Sequence, residues 1–178
     1  LSRGLGDVYK RQMARYEKTL RQRAYLLSED KVDTAWLHSL EAILAETAVA
    51  VTAARQTLIR DLNQEAERGW LGFPGVRLSL VGETEQWLAD MPALQVEDKL
   101  AAAAKTARLA GEAAIPGPHV TDLQAVHLES KTPAFLASTG QQKALLISVV
   151  LAHARLQERR LSKSPIMLLD DVVAHLDF

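Results

Sequence analysis

Cysteine is absent from the sequence, which excludes disulfide bonds and thiolate metal sites and fits a reducing compartment. No unbroken apolar run reaches the ~20 residues that a bilayer-spanning helix needs. The chain does not begin with a basic segment followed by an apolar one, so no signal peptide is visible. Aromatic residues are scarce, at 5%, while Ala, Leu and Val supply most apolar positions, which favours helices over an all-β sandwich. These absences predict a helix-rich, cytoplasmic protein without a membrane segment.

A phosphate-binding loop of the form G-x-x-x-x-G-K-[ST] is also missing from the sequence. Because that loop holds the β- and γ-phosphates of a nucleotide, the chain alone is expected neither to bind nor to hydrolyse one. The net charge of −1 over 178 residues neither predicts nor excludes a nucleic-acid partner, since a local basic face can lie within a balanced total.

Both ends of the chain are expected to be unnatural. Residues 1–12 have no initiator Met and no periodicity, so we interpret them as a non-native linker or adapter tail outside the fold. The sequence ends at Phe178, directly after the last motif described below, and we expect it to be a fragment.

Two amphipathic helices are predicted after that tail. Apolar positions recur at three- and four-residue steps over 13–27, and again over the longer run 37–58, a spacing that places them on one face of a helix. The polar segment 28–33 separates the two runs. We therefore predict a helical hairpin arm over 13–68, although the core of an ordinary helical bundle has the same periodicity.

The remaining residues, 69–178, are predicted to form a lobe that mixes helices and strands. Val76, Leu78 and Leu80 alternate with polar residues, which indicates a half-buried strand. The other predicted elements are helices over 83–89, 97–110 and 141–160, a strand hairpin formed by 123–129 and 134–137, and a buried strand over 166–169. The predicted fold class is therefore α/β, mixed and helix-rich.

The strand predicted over 166–169 is followed by two carboxylates, Asp170 and Asp171. In open α/β sheets, ligands bind at the carboxyl ends of strands. Because neighbouring residues of a strand point to opposite sides, the two acids have different roles. One can hold Mg²⁺, which prefers oxygen ligands, and the other can orient or deprotonate an attacking water. An ordinary strand end is the alternative, since four apolar residues and two acids are by themselves a weak signature.

A turn of small residues, Ser138-Thr139-Gly140, opens the helix predicted over 141–160. The first N–H groups of a helix have no intrahelical partner and lie at the positive end of its dipole, so they bind phosphate oxygens readily. Gly140 permits close approach to the backbone, and the Ser138 hydroxyl can donate to a phosphoryl oxygen. The alternative is that Ser138 or Thr139 is only the N-cap of the helix.

Three of these segments resemble motifs of ATP-binding-cassette (ABC) ATPases. The signature motif is matched by 137–141, the Walker B strand by 165–171 and the D-loop by 174–177. Within that class, Ser-Thr-Gly-Gln-Gln-Lys-Ala-Leu-Leu and Leu-Leu-Asp-Asp-Val-Val-Ala-His-Leu-Asp are most similar to the RecF family of bacterial DNA replication and repair proteins. Segments 16–23 and 117–123 resemble the arm and the Gly-Pro-His segment of the same family. The resemblance spans 13–178 and is most specific from residue 137 onward.

The resemblance implies an ATP-driven switch in which two heads, each with ATP and Mg²⁺, close on one another as a homodimer. The signature residues would contact the γ-phosphate of ATP held by a second subunit, and Asp177 would act across the same interface. The residues assigned to the γ-phosphate are Ser138, Thr139, Gly140 and Gln141.

The resemblance also assigns Asp170 to Mg²⁺ and Asp171 to the position of the catalytic Glu of ABC ATPases. The shorter side chain of Asp171 suits a slow ATPase. The implied function is recombinational DNA repair and replication: binding of gapped DNA or single-/double-strand junctions, recombinase loading with RecR and RecO, and the SOS response. His119 is followed by Val120 where we expect a basic residue in the family, so we interpret His119 as a turn histidine rather than a phosphate or DNA ligand.

Two groups of basic residues raise the question of DNA contact. We favour solvated helix faces, or cations placed at a helix C-terminus, because phosphate contact needs a continuous stripe of positive charge. The groups are Arg15, Lys18, Arg21 and Arg23 on the first helix, and Arg155, Arg159, Arg160 and Lys163 near the end of the last.

Two other functions stay open. One is an SMC- or Rad50-like ABC ATPase head, against which the short arm argues because those proteins carry far longer coiled coils. The other is a non-enzymatic helical interaction domain in which the two acids at 170–171 are accidental.

Overall fold

The structure of the chain, a computed structural model, describes residues 2–29 and 33–168 and, within these, the side chains from residue 8 onward. Two strands, β1 (Val76–Val81) and β2 (Asp122–His127), form a sheet. The helices are α1 (Ser2–Leu27), α2 (Thr34–Ala66), α3 (Glu83–Asp90), α4 (Ala93–Leu109) and α5 (Thr139–Leu161), with a 3-10 turn at Ala134–Leu136. This helix-rich architecture with a small sheet confirms the predicted fold class.

Helix α1 begins earlier than the periodicity suggests. Residues 2–12, which we expected to lie outside the fold, are helical and continuous with the amphipathic part of α1. Once a helix is nucleated, each added residue gains one backbone hydrogen bond, and no proline interrupts this segment. Helix formation therefore does not require the apolar periodicity on which the prediction relied.

Helix α2 is the longest element and is strongly apolar. The Asp33 carboxylate caps its start by accepting the N–H groups of Ala35 and Trp36, each at 3.0 Å, two of the donors that a helix start leaves unpaired. By length and composition α2 could cross a bilayer, but 56% of its apolar window is buried inside the protein. Its apolarity is that of a core helix.

The chain divides into two compact units, Leu1–Gln56 with Val81–Asp122 and Thr57–Leu80 with Leu123–Phe178. Helix α2 thus contributes its first part to one unit and its last turns to the other. The predicted arm (13–68) and lobe (69–178) were defined by their expected roles, whereas these two units are defined by compactness. The division into arm and lobe therefore stays a prediction.

The first unit is built around helices α1, α2, α3 and α4. Tyr16 of α1, Leu44 and Ala48 of α2, and Val96 and Leu100 of α4 belong to one buried cluster. Each large apolar side chain buried in this way contributes about 1.5–3 kcal/mol relative to exposure. Helices α1 and α2 thus share a core with α4, and the hairpin arm of the first two helices stays a prediction.

The second unit packs the sheet and α5 against the last turns of α2. Leu62, Val76, Leu78, Leu145 and Leu156 share its buried cluster. The alternating burial of β1 is the half-buried pattern that Val76 and Leu78 predicted. The core of this unit therefore holds the helix that begins with the signature residues.

The sheet is antiparallel. The N–H of Leu128, after β2, donates to the carbonyl of Gly75, before β1, at 3.0 Å, so the end of β2 lies beside the start of β1. Since backbone groups alternate between the two edges of a strand, the N–H and C=O of Leu78 point away from β2. The Asn63 side chain of α2 meets both of them, donating to the carbonyl at 2.8 Å and accepting from the N–H at 2.9 Å.

Two predicted strands differ from the structure. Residues 134–136 form a 3-10 turn instead of the second strand of a hairpin. Beside this turn, Val126 and Pro133 form an isolated β-bridge. Pro133 has no N–H to donate to a ladder. Residues 166–168 are irregular, with Ile166 and Leu168 92% and 94% exposed, because no described residue pairs with them and a buried strand needs neighbours for its backbone groups. Leu169, the last residue of that predicted strand, lies outside the described residues.

Candidate functional site

The four signature residues lie together in the first turn of α5. Ser138 is the N-cap, with φ −62° and ψ 159°, and its hydroxyl oxygen accepts the N–H of Gln141 at 3.3 Å. The Gln141 side-chain oxygen accepts the N–H of Ser138 at 3.0 Å. This reciprocal pair is a capping box, so the N-cap interpretation of Ser138 is correct, and it fixes the first turn in place.

The capping box leaves other donors of this turn for a ligand. The first hydrogen bond of the i→i−4 ladder runs from the Gln142 N–H to the Ser138 carbonyl at 2.8 Å, so by helix geometry the N–H groups of Thr139 and Gly140 have no intrahelical acceptor. The side chains of Ser138, Thr139 and Gln141 are exposed. An anion approaching α5 along its axis therefore meets two backbone donors, two hydroxyls and the positive end of the dipole.

The segment before the signature is held against the same turn. The Gln142 amide nitrogen donates to the carbonyls of Ala134 and Ala137, at 2.9 and 3.2 Å. This clamp stabilises the 3-10 turn and leaves Phe135 and Leu136 exposed to solvent. Two apolar side chains are thus exposed in the segment just before the donors of α5, a feature that the sequence analysis missed.

The predicted acidic residues cannot be placed. Asp170, Asp171 and Asp177 lie outside the described residues, and their roles stay predictions. Within 2–29 and 33–168, no group of three or more His, Asp or Glu side chains is arranged to hold a metal ion. The Mg²⁺ assignment to Asp170 stays a prediction.

The Gly-Pro-His segment is part of the packing of the first unit. The Tyr16 hydroxyl and His119 Nδ1 lie 2.6 Å apart. Partial burial lowers the pKa of His119, which favours the neutral ring. In that ring, Nδ1 can accept a hydrogen bond from the Tyr16 hydroxyl. A Cβ on Gly117 would lie 2.4 Å from the Tyr16 hydroxyl, so only glycine fits. Arg55 donates to the Pro118 carbonyl at 2.5 Å. These contacts give His119 a packing role within the turn.

The basic group on α1 is not a single face. Arg23 is 1% exposed, and its guanidinium donates to Glu41 at 3.3 Å and to the carbonyls of Ala104 and Ala113 at 2.9 and 3.0 Å. Arg108 binds the same Glu41 carboxylate at 3.1 Å. The expectation that Arg23 lies on a solvated face of the first helix was therefore wrong, because Arg23 is the centre of a buried ion-pair network.

The basic group on α5 is organised around one acid that the sequence analysis missed. Glu65 of α2 has a side chain that is 1% exposed, and it receives Arg159, Arg155 at 3.2 Å and Arg68 at 3.9 Å. The hydrogen bond from Arg159 holds the pKa of Glu65 below its ordinary value. The guanidinium of Arg155 also lies 5.0 Å from the ring centroid of Trp70. The i, i+3 spacing of Glu65 and Arg68 is the one sequence feature that could have suggested part of this cluster.

A further pair extends the same region, where Arg160 of α5 binds Asp61 of α2. We call this region the arginine surface. It consists of the exposed residues Arg68, Trp70, Arg159 and Arg160 and the partly exposed Arg155.

Comparison with known proteins gives one consistent set of relatives. No protein-family model matches the chain. The DNA replication and repair protein RecF of Mesorhizobium japonicum is 41% identical over 168 residues, covering 91% of this chain and 44% of that protein. RecF of Rhizobium rhizogenes is 37% identical over 178 residues, covering 97% and 47%, and RecF of Brucella abortus is 39% identical over 167 residues, covering 91% and 44%.

Solved structures agree with these relatives in fold. A structure of the recombination mediator protein RecF with ATP in the RecFOR pathway superposes with a TM-score of 0.74 at 19% identity, covering 97% of this chain and 48% of that one. A second, described as RecF-ATPrS of the same pathway, gives 0.77, also at 19% identity, with 96% and 48% covered. The chain spans about half the length of the curated relatives it matches. The predicted resemblance to RecF is thus confirmed over nearly the whole of this chain.

Proposed function

We propose that this chain supplies the signature half of a RecF-like, ATP-switched head in a protein of DNA replication and repair. The observation that carries the proposal is the start of α5, where the exposed Ser138 and Thr139, with the partly exposed Gly140, present donors on a turn that Gln141 fixes in place. The curated relatives are named for DNA replication and repair, and a solved relative is described with ATP.

The signature turn would bind the γ-phosphate of ATP held by a second copy. The N–H groups of Thr139 and Gly140 and the Ser138 hydroxyl donate hydrogen bonds, and the oxygens of an ionised phosphate accept them. They cost little to organise because the capping box already holds them. Bound ATP would supply the phosphates that join the two copies, so closure of the homodimer depends on nucleotide.

The acidic residues complete the proposed site. Asp170 would hold Mg²⁺, Asp171 would orient the attacking water, and Asp177 would act across the interface. Because Asp171 has a shorter side chain than the Glu of related ATPases, we propose a slow ATPase that serves as a switch.

The partners follow from the relatives. We propose that the full-length protein works in the cytoplasm on gapped DNA or single-/double-strand junctions, together with RecR and RecO, in recombinase loading and the SOS response. The pathway of the solved relatives is named RecFOR, which supports this choice of partners.

The test is a charge reversal that keeps the helix cap. The test uses a protein that includes this chain and has the full length of the relatives. In it, Ser138→Asp preserves a strong N-cap and places a carboxylate where the γ-phosphate would bind. Light scattering after size-exclusion chromatography, with and without a non-hydrolysable ATP analogue, measures the dimer. We expect an ATP-dependent dimer for the parent protein and none for Ser138→Asp, because two anions would face each other at the interface.

The matched control is Ser130→Asp, the same change at an exposed residue of the same unit, which should dimerise like the parent. In the same experiment the 178-residue chain alone should give no heat of ATP binding by calorimetry, since its sequence lacks the phosphate loop. A Ser138→Asp protein that dimerises normally would contradict the proposed role of α5, and a parent that never responds to ATP would favour the interaction-domain alternative.

A further inference from the structure

We propose that the arginine surface of the second unit binds the phosphodiester backbone of DNA. The proposal rests on the DNA-related function proposed above and deepens it by assigning the contact to named residues. It depends on three observations: several arginines that share one acid, the burial of that acid and an exposed tryptophan beside them.

The ion pairs show that several arginines share one acid. A single carboxylate, Glu65, neutralises one charge while Arg68, Arg155 and Arg159 surround it at 3.9 Å or less. Linking α2 to α5 through a buried acid needs one arginine, and the other two form no ion pair with a second acid among the described residues. Arg68 and Arg159 are 68% and 56% exposed, so this positive charge is available to an external anion.

The same acid orients one of the guanidiniums directly. The Glu65 side chain is buried at 1% exposure and accepts a hydrogen bond from Arg159, while Arg155 and Arg68 face its other oxygen as ion pairs without a hydrogen bond. Arginine presents a planar fork of donors that matches phosphate oxygens, and a fork already held in place loses less conformational entropy on binding.

Trp70 adds a contact that a structural ion pair does not need. It is 43% exposed and carries Arg155 over its ring at 5.0 Å. An exposed aromatic ring beside arginines is the arrangement on which nucleobases stack in single-stranded nucleic acids. We infer a surface that follows the backbone through its arginines and meets a base or sugar at Trp70.

The arginine surface is distinct from the signature turn. Ser138 begins α5 and Arg159 lies near its other end, and at 1.5 Å per residue the two are about 30 Å apart along the helix. Among the acids near the surface, Glu65 and Asp61 pair with its arginines, Glu67 pairs with Arg77, and Glu158 accepts a hydrogen bond from the Ser164 hydroxyl. A long polyanion such as DNA suits this position better than the nucleotide of the ATP site.

The test measures binding of labelled DNA by the chain at several salt concentrations. Fluorescence anisotropy with a single-stranded and a duplex oligonucleotide gives the slope of log K against log[salt], which counts phosphate contacts. Arg68→Gln with Arg160→Gln removes two cations while Glu65 keeps Arg155 and Arg159. We expect the slope to fall by about 0.7 to 0.9 for each lost contact, with unchanged circular dichroism.

The control is Arg77→Gln, an arginine that is 60% exposed and bound one-to-one to Glu67 at 2.8 Å, outside the surface. It should leave the slope unchanged. A second readout uses Trp70 as the single fluorophore after Trp36→Phe and Trp87→Phe, and its emission should be quenched by DNA in a salt-dependent, saturable way.

Two outcomes would overturn the proposal. DNA binding with an unchanged slope in the Arg68 and Arg160 variant and no change in Trp70 emission would place the DNA contact elsewhere, and the DNA-related function would stand. Failure of the chain to bind DNA at the lowest salt concentration would reject the surface itself, whereas the ATP-dependent dimer measured above tests the proposed function separately.

Discussion

Replacement of Arg23 by Met tests whether the buried network of the first unit stabilises the fold. Arg23 and Glu41 are 1% and 2% exposed, and the arginine also donates to the carbonyls of Ala104 and Ala113. Met fills most of the volume of the arginine stem but donates nothing. The substitution therefore leaves two carbonyls without this donor and removes one of the two cations that face Glu41.

The magnitude follows from these contacts. Removing one partner of a buried ion pair costs about 3–5 kcal/mol, because the remaining charge stays desolvated. Since Arg108 still binds Glu41 at 3.1 Å, we expect a loss at the lower end, about 3 kcal/mol. Adding Glu41→Met to Arg23→Met removes the stranded carboxylate, so the double variant should lose less than the sum of the two single variants.

Urea unfolding followed by circular dichroism measures these free energies. Arg15→Met is the matched control, because Arg15 lies on the same helix and pairs with Glu46 at 3.7 Å while both side chains are about half exposed; such pairs contribute about 1 kcal/mol or less. If Arg23→Met cost no more than Arg15→Met, the buried network would not stabilise this unit, and our assignment of Arg23 to the core would be refuted.

Two further predictions follow from side chains that bind backbone or ring atoms. Asn63→Ala should destabilise the protein by about 1–3 kcal/mol, because the N–H and C=O of Leu78 lose their partner. Urea unfolding measures this free energy, and a change below about 0.5 kcal/mol would contradict the prediction. His119 has a lowered pKa, so its contribution to stability is complete above the unfolded value of about 6.5 and is lost as pH falls toward the folded pKa. Melting temperatures measured between pH 7.5 and 5.5 should therefore fall more steeply for the parent than for His119→Gln, and parallel curves would refute the role given to burial.

The sequence predicted the elements whose local pattern agrees with their packing. Helix α5 and strand β1 lie close to their predicted bounds, because Leu145 and Leu156, like Val76 and Leu78, put their apolar faces into one core. Local periodicity is informative when the buried face and the secondary structure have the same period.

The prediction was wrong where partners distant in sequence decide the structure. Residues 134–136 have the composition of a strand, but Pro133 limits the ladder and Gln142 holds the turn through the carbonyl of Ala134. Ile166 and Leu168 are exposed since no described residue pairs with them.

The candidate site was predicted in part. The signature turn could be recognised because its four residues are consecutive. The ion pairs of the buried Glu65 could not be predicted, because Arg155 and Arg159 come from another helix that is distant in sequence. Similarly, Arg23 occupies a position in the apolar repeat of α1, and only the placement of Glu41 explains a charge there.

The amide of Asn63 also has a consequence for association between chains. Strand β1 pairs with β2 along one edge, and an open second edge would be a template for a strand of another molecule. At Leu78, the middle of that edge, the Asn63 side chain already provides the donor and acceptor that a neighbouring strand would offer. A single side chain thus serves as a surrogate strand, and we expect edge-to-edge polymerisation through β1 to require displacement of the last turns of α2.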